Sequence, residues 1–400
     1  MTEQSDLEEY SNQKGQSGVK ASNWEEYTFS EAININDYPK LEKDVDQIHV
    51  GMKQVEENTR KVQDTIKKEY KYSKPRFENG DTLFARITPC LENGKTAFVD
   101  VLEEGEAATG STEFLVMSAT NKVLPKFVYY TARRPDIRQF AIKRMTGSSG
   151  RQRVPTDVFD NLSIEIPPLE EQEQIVNFLD SIDSKIESNN RIEELIDEIT
   201  QTLYHYWFDS FSPYNNFKET EQGEIPVNFT SAKVGDVCDF EYGEKLTTEE
   251  RNGDEYPVYG SNGITGWHED FLIKGPGVIV GRKGVNFGSI SLEMGNFWPI
   301  DTAFYIEPMN EDDIFYIYHL LRTIPFDHLG SDSAVPGLNR TVAEDQEIVL
   351  PPEEDRERFN QLVRPFHQKV YELRKENDSL SKLRDTVLPK LMTGKIDLDK

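Results

Sequence analysis

The chain has few of the residues that build disulfides, metal sites and membrane spans. Cys90 and Cys238 are the only cysteines among 400 residues, which excludes a disulfide framework and a cysteine-based zinc site. The six histidines lack the spacing of a zinc-binding helix. No apolar run reaches the roughly 18 residues of a membrane span, and the polar N-terminus is unlike a signal peptide. These absences predict a cytoplasmic protein without redox chemistry.

Motifs for nucleotide binding and catalysis are also lacking. The glycine-rich stretch 275–284 has neither the glycine spacing nor the Lys-Ser/Thr pair of a phosphate-binding loop, and a tight hairpin explains it better. The double prolines 167–168 and 351–352 lack the flanking residues with which adenine methyltransferases hold a flipped base. We therefore expect a chain that is not an enzyme by itself.

Positive charge is scarce and segregated. The 45 Lys and Arg residues face 72 Asp and Glu residues, and the formal net charge of −27 argues against indiscriminate binding of nucleic acid. Residues 169–200 hold ten acids and two bases, whereas residues 133–153 hold seven bases and one acid. The basic segment is therefore the part of the chain that suits an anionic partner.

Two long helical patterns organise the sequence, one over 166–211 and one over 351–396. Each begins with two prolines followed by acids, which suit the positive end of a helix dipole. Apolar residues at helical spacing predict one continuous stripe on each helix, with Asn189 and Asn377 inside the stripes. Such asparagines either fix the register of a helix pair or are ordinary polar positions. The stripe residues are Ile175, Leu179, Ile182, Ile186, Ile192, Ile196, Ile199, Leu203 and Tyr206 in the first helix and Phe359, Val363, Phe366, Val370, Leu373, Leu380, Val387 and Leu391 in the second.

The repeated helix start indicates two tandem halves, since Pro167 and Pro351 lie 184 residues apart. Each half has the order strands, helix, small-residue loop, strand, long helix. We predict an α/β (α+β) protein with two globular domains, 23–166 and 212–350, joined by two long helices, 167–211 and 351–400, after a disordered tail, 1–22. Strands are predicted at 27–35, 47–55, 81–87, 96–102, 113–119 and 161–168, then at 234–243, 256–271, 277–294, 302–308 and 347–352, with a helix or helix pair at 127–145 and a helix at 313–324.

The loop at 144–153 has the chemistry of a DNA contact. Arg and Lys neutralise phosphates, and Arg, Gln, Ser and Asn pair with base edges. A solvated charge run would be the simpler interpretation, but the loop 330–340 recurs at the same distance before the second double proline and favours binding. Arg86 and Arg282 end matching segments of the two halves. The predicted DNA-contacting residues are Arg86, Lys143, Arg144, Ser148, Ser149, Arg151, Gln152, Arg153, Arg282, Lys283, Asn286, Asn339 and Arg340.

Seven motifs together resemble the specificity subunit of type I restriction–modification systems: MTGSSGRQRVP (145–155), IPPLEEQEQIVNFLDSIDSKIE (166–187), LYHYWFDSF (203–211), GEIP (223–226), YPVYGSNGITG (256–266), GSDSAVPGLNR (330–340) and VLPKLMTGKI (387–396). The resemblance implies two target-recognition domains held apart by two antiparallel helices, a coiled coil. It further implies that each domain binds one half of a split site in double-stranded DNA and that the helices dock methyltransferase (modification) subunits. Restriction and translocase subunits would join through the complex, and S-adenosylmethionine, ATP and magnesium would bind partner subunits, with no cofactor on this chain.

Two departures from the family pattern affect these expectations. The second helix begins with EEDR (353–356) instead of LEEQ, and Pro365 predicts a kink near its start. The second loop has Arg340 as its only base, which shifts the expected contacts toward Asn339, Arg282 and Lys283. The alternative function is a scaffold that carries two protein-binding modules on a coiled coil. The acidic total favours that alternative, and the localised basic loop opposes it.

Overall fold

The computed structural model describes residues 23–42, 44–70, 75–148, 150–330 and 336–398. The predicted disordered tail, 1–22, lies outside the described residues. The chain divides into two compact units: unit 1 is Met1–Glu187 with Asp378–Lys400, and unit 2 is Ser188–Asn377. Two long helices, Leu169–Tyr204 and Glu353–Leu391, each contribute residues to both units. In the described ranges, no helix is both long and apolar enough to cross a membrane.

The described residues of unit 1 form ten strands and three complete helices. The helices are α1 (Phe29–Ala32), α2 (Pro125–Arg133) and α3 (Pro135–Lys143), and the long helix α4 (Leu169–Tyr204) starts in this unit. The strands are β1 (Glu25–Thr28), β2 (Ile33–Ile35), β3 (Asp46–Val50), β4 (Ile66–Glu69), β5 (Arg76–Glu78), β6 (Thr82–Ala85), β7 (Thr96–Phe98), β8 (Ala107–Gly110), β9 (Phe114–Ala119) and β10 (Ser163–Ile166).

The part of unit 2 that the structure describes forms eleven strands. They are β11 (Phe217–Thr220), β12 (Gly223–Pro226), β13 (Thr230–Lys233), β14 (Cys238–Tyr242), β15 (Tyr256–Gly260), β16 (Gly263–His268), β17 (Gly277–Gly281), β18 (Ile290–Glu293), β19 (Trp298–Pro299), β20 (Ala303–Pro308) and β21 (Glu347–Leu350). Its helices are α5 (Ile314–Thr323) and α6 (Arg340–Glu344), and α7 (Glu353–Leu391) starts here. Helix α7 runs unbroken through Pro365, so this proline does not end the helix.

The two units share one topology, which confirms the tandem repeat. A four-stranded antiparallel sheet has the order β2-β9-β6-β7 in unit 1 and β14-β20-β17-β18 in unit 2. Each unit also has a second sheet that contains one parallel pair of strands, β3 with β8 in unit 1 and β15 with β19 in unit 2. Each unit has a further antiparallel pair of strands, β1 with β10 in unit 1 and β13 with β21 in unit 2. The second strand of each pair leads directly into a double proline. The same arrangement is thus built twice from different sequences.

The four-stranded sheet of unit 1 separates two apolar cores, because its successive side chains point to opposite faces. Phe84 and Leu115 face a core formed with α2, α3 and the start of α4. Leu83 and Val116 face a smaller core formed with β3, β5 and β8. Strands buried on both faces carry continuous apolar runs, which explains why DTLFARI and EFLVMSA were recognisable in the sequence.

Several short elements differ from the predictions. The predicted strand 27–35 is interrupted by α1, where the Glu31 carboxylate accepts hydrogen bonds from the backbone N–H and the hydroxyl of Thr28. The exposed strand β4, IKKE, carries no apolar alternation and was missed. The predicted hairpin at 275–284 forms between β17 and β18, but its connection spans 282–289 and is not tight. The predicted loop 330–340 ends in helix α6.

The start of each long helix is tied to the helix before it in the same unit. In unit 1 the buried Gln172 amide donates to the Pro167 carbonyl at 2.9 Å and accepts from the Leu124 N–H, next to α2, at 2.9 Å. In unit 2 the Arg356 guanidinium donates to the Pro351 carbonyl at 2.7 Å and to Asp313, next to α5, at 2.8 Å. The EEDR departure therefore keeps the tie that LEEQ makes.

In unit 1, helices α4 and α7 are joined by a buried ion pair. Asp183 and Arg384 are each 3% exposed and lie 2.8 Å apart. The Tyr130 hydroxyl of α2 also donates to Asp183 at 2.9 Å. Arg384 carries a second pair with Asp385 at 2.9 Å, so the charge of Arg384 is compensated twice. The burial of these charges depends on this complete set of partners.

In unit 2, the same helices are joined by the ion pair of Glu193 with Arg374, whose arginine side chain is 52% exposed, and by buried neutral polar groups. The Asn189 side-chain amide donates to Asn377 at 2.8 Å, and the Asn377 amide donates to Asn190 at 2.7 Å. His319 of α5 contacts His367 of α7 through their Nε2 atoms at 3.0 Å. The two helices run antiparallel, because Asn189 lies beside Asn377 while the Tyr204 ring makes an edge-to-face contact with Phe359. The asparagines thus pair with each other; their role in fixing the register remains a prediction.

The prediction of a single continuous stripe on α4 is wrong beyond Asn189. The buried positions there are Asn189, Ile196, Thr200 and Tyr204. Ile192, Ile199 and Tyr206 are instead 37%, 45% and 49% exposed. Ile192, Ile199 and Tyr206 recur every seven residues, which is slightly less than two full turns of a helix with 3.6 residues per turn. Successive members of this series are therefore rotated around the helix axis, and they lie on one flank instead of on the packed face.

Candidate nucleic-acid interface

In unit 1 the predicted loop returns along the segment that follows β6. Arg86 accepts from the Val154 N–H at 2.8 Å, Thr88 donates its N–H to Gln152 at 3.1 Å, and Ile87 pairs with Arg153 in an antiparallel bridge. Arg153 also exchanges two backbone hydrogen bonds with Thr146, 2.9 and 2.8 Å long, which close the loop on itself. The described residues between them, with Gly147 and Gly150 at positive φ, are mostly exposed, as predicted for this loop.

Unit 2 repeats this geometry at equivalent residues. Arg282 accepts from the Leu338 N–H at 2.9 Å, Gly284 donates its N–H to Pro336 at 3.0 Å, and Lys283 pairs with Gly337 in an antiparallel bridge. Arg86 and Arg282 therefore occupy equivalent positions, as predicted. The loop 330–340 also takes the place of the first loop, although residues 331–335 lie outside the described residues.

Each bridge carries one cation, but the cation lies on opposite strands in the two units. In unit 1 it is Arg153 on the returning strand, opposite Ile87; in unit 2 it is Lys283 on the other strand, opposite Gly337. Their side chains are 45% and 43% exposed. Each reaches a carboxylate just before an equivalent strand: Arg153 binds Glu113 at 2.7 Å, and Lys283 lies 3.7 Å from Asp301.

These two carboxylates were missed by the sequence reasoning. Glu113 accepts two hydrogen bonds from the Arg153 guanidinium, and this hydrogen bonding, followed by the Glu113 charge, raises the pKa of Arg153. The available signal was position, because Glu113 and Asp301 immediately precede or open the strands predicted at 113–119 and 302–308. A carboxylate beside such a cation orients it and can itself accept from a cytosine amino group.

The remaining loop residues of unit 1 are accessible. Lys143, Ser148 and Arg151 are exposed, and Gln152 is half-buried. The Arg144 guanidinium stacks 3.6 Å above the centroid of the Phe140 ring, which holds this cation at the end of α3. Ser149 lies outside the described residues. The side chains suited to phosphate and base contacts therefore lie together on one exposed loop.

Arg86 and Arg282 are held mainly by their own units. The Arg86 guanidinium donates to the Val154 carbonyl and secures the returning strand. Arg282 donates to the Asp301 carbonyl at 2.8 Å and lies 4.5 Å from the centroid of the Tyr242 ring. Asn286 is exposed in the connection between β17 and β18. Of these three predicted contacts, Asn286 is the most accessible.

Asn339 and Arg340 have structural partners at the base of the second loop. The Asn339 side chain accepts from the Val342 N–H at 3.3 Å and caps α6. Arg340 lies 2.7 Å from Glu344 and 3.0 Å from Glu241. Burial alone lowers the pKa of Arg340, but the hydrogen bond and charge of Glu344 raise it overall. These carboxylates offset the positive charge of Arg340, the only base in the sequence of the second loop.

Three arginines of the basic segment 133–153 serve unit 1 internally. The Arg133 side chain is 8% exposed and lies 3.8 Å from Asp385 of α7. Arg134 binds Asp136 at 2.6 Å and donates to the Met392 carbonyl at 3.4 Å. Burial lowers the pKa of the half-buried Arg138, and the charge of Arg133 adds to this effect. The positive charge available to a partner is therefore smaller than the sequence count suggests.

The described part of these loops holds no metal centre. In the ranges that the structure describes, no three His, Cys, Asp or Glu side chains converge as metal ligands would. An open cavity of about 580 Å³ in unit 2 is lined by residues 285–290 and 321–327. The chemistry that the two loops offer is accordingly that of surface contacts.

Comparison with known proteins identifies the family. Residues 21–198 and 226–374 match the model of the type I restriction modification DNA specificity domain. The MjaIX specificity subunit of a type I restriction enzyme from Methanocaldococcus jannaschii is 22% identical over 312 residues, 70% of each chain. The EcoAI specificity subunit from Escherichia coli is 38% identical over 112 residues, which are 28% of this chain and 18% of that subunit.

A solved structure has the same fold. The S subunit of the type I restriction–modification system from M. genitalium superposes with a TM-score of 0.57 at 18% identity, covering 94% of this chain and 99% of that one. The family model is matched twice, once in each tandem half, and the matches span most of the chain. The chain therefore belongs to the family of type I restriction–modification specificity subunits.

Proposed function

We propose that this chain reads a bipartite site in double-stranded DNA, with one half-site bound by each unit. The observation that carries the proposal is the repeated bridge, which places an exposed cation and an adjacent carboxylate at equivalent points of two units with different sequences. Cations neutralise phosphates, and the neighbouring polar side chains can pair with base edges. Different side chains in the two units should select two unrelated half-sites.

We also propose that the exposed flank of α4 docks a methyltransferase subunit. Ile192, Leu195 and Ile199 are 37%, 39% and 45% exposed and lie at helical spacing, with the exposed Glu194 and Glu198 beside them. An apolar flank of this kind on a long helix favours burial against a partner helix. In this proposal methyl transfer, ATP-driven cleavage and the associated S-adenosylmethionine, ATP and magnesium belong to partner subunits, and the chain itself carries no catalytic site.

The decisive experiment measures DNA binding with and without a type I methyltransferase subunit. The complex should bind one split duplex site with at least ~10³-fold preference over random duplex, the low end for specific binders. The chain alone should bind weakly. A complex without sequence preference would refute DNA reading and favour the scaffold alternative. Leu195→Asp should abolish assembly, whereas Val227→Asp, at a valine 44% exposed elsewhere in unit 2, should not.

The length of the paired helices tests the bipartite site. Deleting four residues from α4 and the four that face them in α7, 193–196 and 371–374, removes the partners Glu193 and Arg374 together. This keeps the Asn189–Asn377 pair and shortens each helix by about 6 Å. Methylation mapping should then return both half-sites unchanged with a gap one to two base pairs shorter, at ~3.4 Å per base pair. Altered half-sites with an unchanged gap would show that the helices do not set the spacing.

A further inference from the structure

The connection between β17 and β18 in unit 2 holds an apolar side chain in solvent. Val285 is 87% exposed, whereas the next most exposed large apolar residue of the described chain, Met309, is 58% exposed. Single exposed hydrophobic residues are common on protein surfaces and by themselves imply nothing. The position of Val285 needs an explanation only because the surrounding backbone is firmly fixed.

The backbone around Val285 is held at its base by hydrogen bonds. Gly281 donates to Ser289 at 2.8 Å, and Gly288 donates back to Gly281 at 2.7 Å. The Ser261 hydroxyl oxygen accepts the N–H groups of Arg282 and Lys283 at 3.1 and 3.0 Å. These contacts anchor both ends of the connection, so the fold presents Val285 outward from an ordered base.

The neighbours of Val285 have the chemistry of DNA contacts. Lys283 lies on the bridge that corresponds to the one carrying Arg153 in unit 1, and the exposed Asn286 follows Val285. Gly284 has φ of +90°, and a side chain there would be strained, which keeps the backbone between Lys283 and Val285 bare. A cation, an apolar group and an amide thus follow one another beside the bridge, on the strand opposite the one that carries Arg153 in unit 1.

We propose that Val285 reads a thymine through its 5-methyl group in the major groove. This inference rests on the proposed function and adds a base-reading residue to unit 2. The thymine methyl is the apolar feature that distinguishes this base in the major groove, and a side chain of this kind recognises it by contact. Asn286 is placed to pair with an adjacent base edge. Unit 1 differs, since the corresponding connection after β6 packs Leu91 into the core with no exposure.

Replacing thymine by uracil removes only the methyl group and therefore tests the contact directly. The probe is a duplex carrying the site found by methylation mapping, with one thymine at a time replaced by uracil in both half-sites. Affinity is measured by fluorescence anisotropy for the full chain assembled with its methyltransferase subunits. Wild type is compared with Val285→Ala and Val285→Thr, and Val227→Ala is the matched control at another exposed valine of unit 2.

One thymine in one half-site should lose about four-fold in affinity on replacement by uracil, the value of one buried methyl group. The loss should appear in wild type, Val227→Ala and Val285→Thr, which keeps a methyl group. Val285→Ala should bind the thymine site about four-fold more weakly and should not distinguish uracil. Three results would overturn the proposal and leave the proposed function intact, provided that binding is still specific. They are the absence of any uracil-sensitive thymine, a half-site free of A·T pairs, and the same uracil penalty in Val285→Ala as in wild type. Loss of all sequence preference in wild type would refute both.

Discussion

The two units place a cation at the same bridge from opposite strands. Arg153 on the returning strand of unit 1 faces Ile87, whereas Lys283 of unit 2 faces Gly337. Each cation has a carboxylate beside it, Glu113 or Asp301, from an equivalent position before a strand. A residue-by-residue alignment of the halves would pair Arg153 with a glycine. The positive charge therefore lies at the same bridge in both units, although it is carried by residues that do not align in sequence.

The starts of the long helices teach the same lesson. Gln172 and Arg356 are chemically different, yet each bonds the carbonyl of the first proline in its own helix start. The amide and the guanidinium both lie at the end of long side chains and both donate hydrogen bonds. Either can therefore donate to the proline carbonyl, which has no other partner among the described residues of the turn. The LEEQ and EEDR motifs are thus two solutions of one requirement.

The units differ more deeply in how the helices are held together. Unit 1 buries the charged pair Asp183–Arg384, each 3% exposed. Unit 2 buries the neutral pair His319–His367, 0% and 6% exposed. A buried ion pair depends on both partners, while a neutral histidine pair depends on pH. The two units should therefore unfold under different conditions.

The largest expected effect is the loss of the buried ion pair. Arg384→Ala leaves Asp183 buried without its charge partner and should lower the free energy of unfolding of unit 1 by ~3–5 kcal/mol. Urea denaturation followed by hydrogen exchange in α2 measures it. The control is Lys61→Ala in the same unit, whose side chain is 49% exposed beside Glu187 and whose ion pair should be worth under ~1 kcal/mol. An Arg384→Ala effect as small as the control would contradict the role of this pair.

Acidification should destabilise unit 2 while sparing unit 1. Burial lowers the pKa of His319 to about 2 and of His367 to about 4, with the charge of His367 adding to the effect at His319. The unfolded chain, with a histidine pKa near 6.5, binds more protons below that pH. The contribution of the two neutral histidines to the free energy of unfolding of unit 2 is therefore fully present above pH 6.5. It falls as the pH drops toward 4, and the loss at pH 5 is about 2 kcal/mol per histidine.

Unit 1 has the opposite pH dependence at Asp81. Burial raises the pKa of Asp81 to about 6 from its ordinary value of 3.8, so its contribution to stability is lost as pH rises through 6 and regained on acidification. Hydrogen exchange at pH 7.5 and pH 5 should show faster opening in unit 2 only. His367→Phe should remove much of this acid sensitivity, whereas His205→Phe, at a side chain 65% exposed, should leave it unchanged. Equal opening of both units at pH 5 would refute the comparison.

The exposed cations should affect DNA affinity through its salt dependence. Combined alanine substitution of Arg144, Arg151 and Arg153 should lower the salt slope by about one unit per phosphate contact, and any arginine that reads a guanine should cost ~1–3 kcal/mol at one base position. Lys283→Ala should lower the slope by about one unit from unit 2. Titrations of the complex from low to high salt measure both. Unchanged affinity in the triple variant would reject the first loop as a DNA contact.

The smallest expected effect belongs to Arg340. Its side chain is 30% exposed and lies near three carboxylates, Glu344, Glu241 and Asp239. Arg340→Ala should leave the salt slope unchanged and reduce the stability of unit 2 by ~1 kcal/mol or less. The same salt titration and urea denaturation distinguish the two roles. A slope reduced as much as in Lys283→Ala would restore Arg340 as a phosphate contact.

The sequence by itself determined the repeated architecture. The double prolines, the helical periodicity and the strands buried on both faces are local signals, and they predicted two α/β halves with two long helices. The exposed basic loop and the equivalence of Arg86 and Arg282 were likewise visible, because turn residues and strand ends mark such positions. Short exposed strands such as β4 carry no such signal and were missed.

Only the tertiary structure decided which polar groups face outward. Arg133 and Arg340 are bases in the sequence, but folding brings to each a carboxylate from a distant segment, Asp385 for Arg133 and Glu241 for Arg340. Ile192 and Ile199 were predicted to lie in one continuous stripe of α4 and instead lie on its exposed flank, since the drift of the stripe around the helix matters only once a partner occupies one side. Charge compensation and burial arise from contacts between distant segments, and local patterns do not encode them.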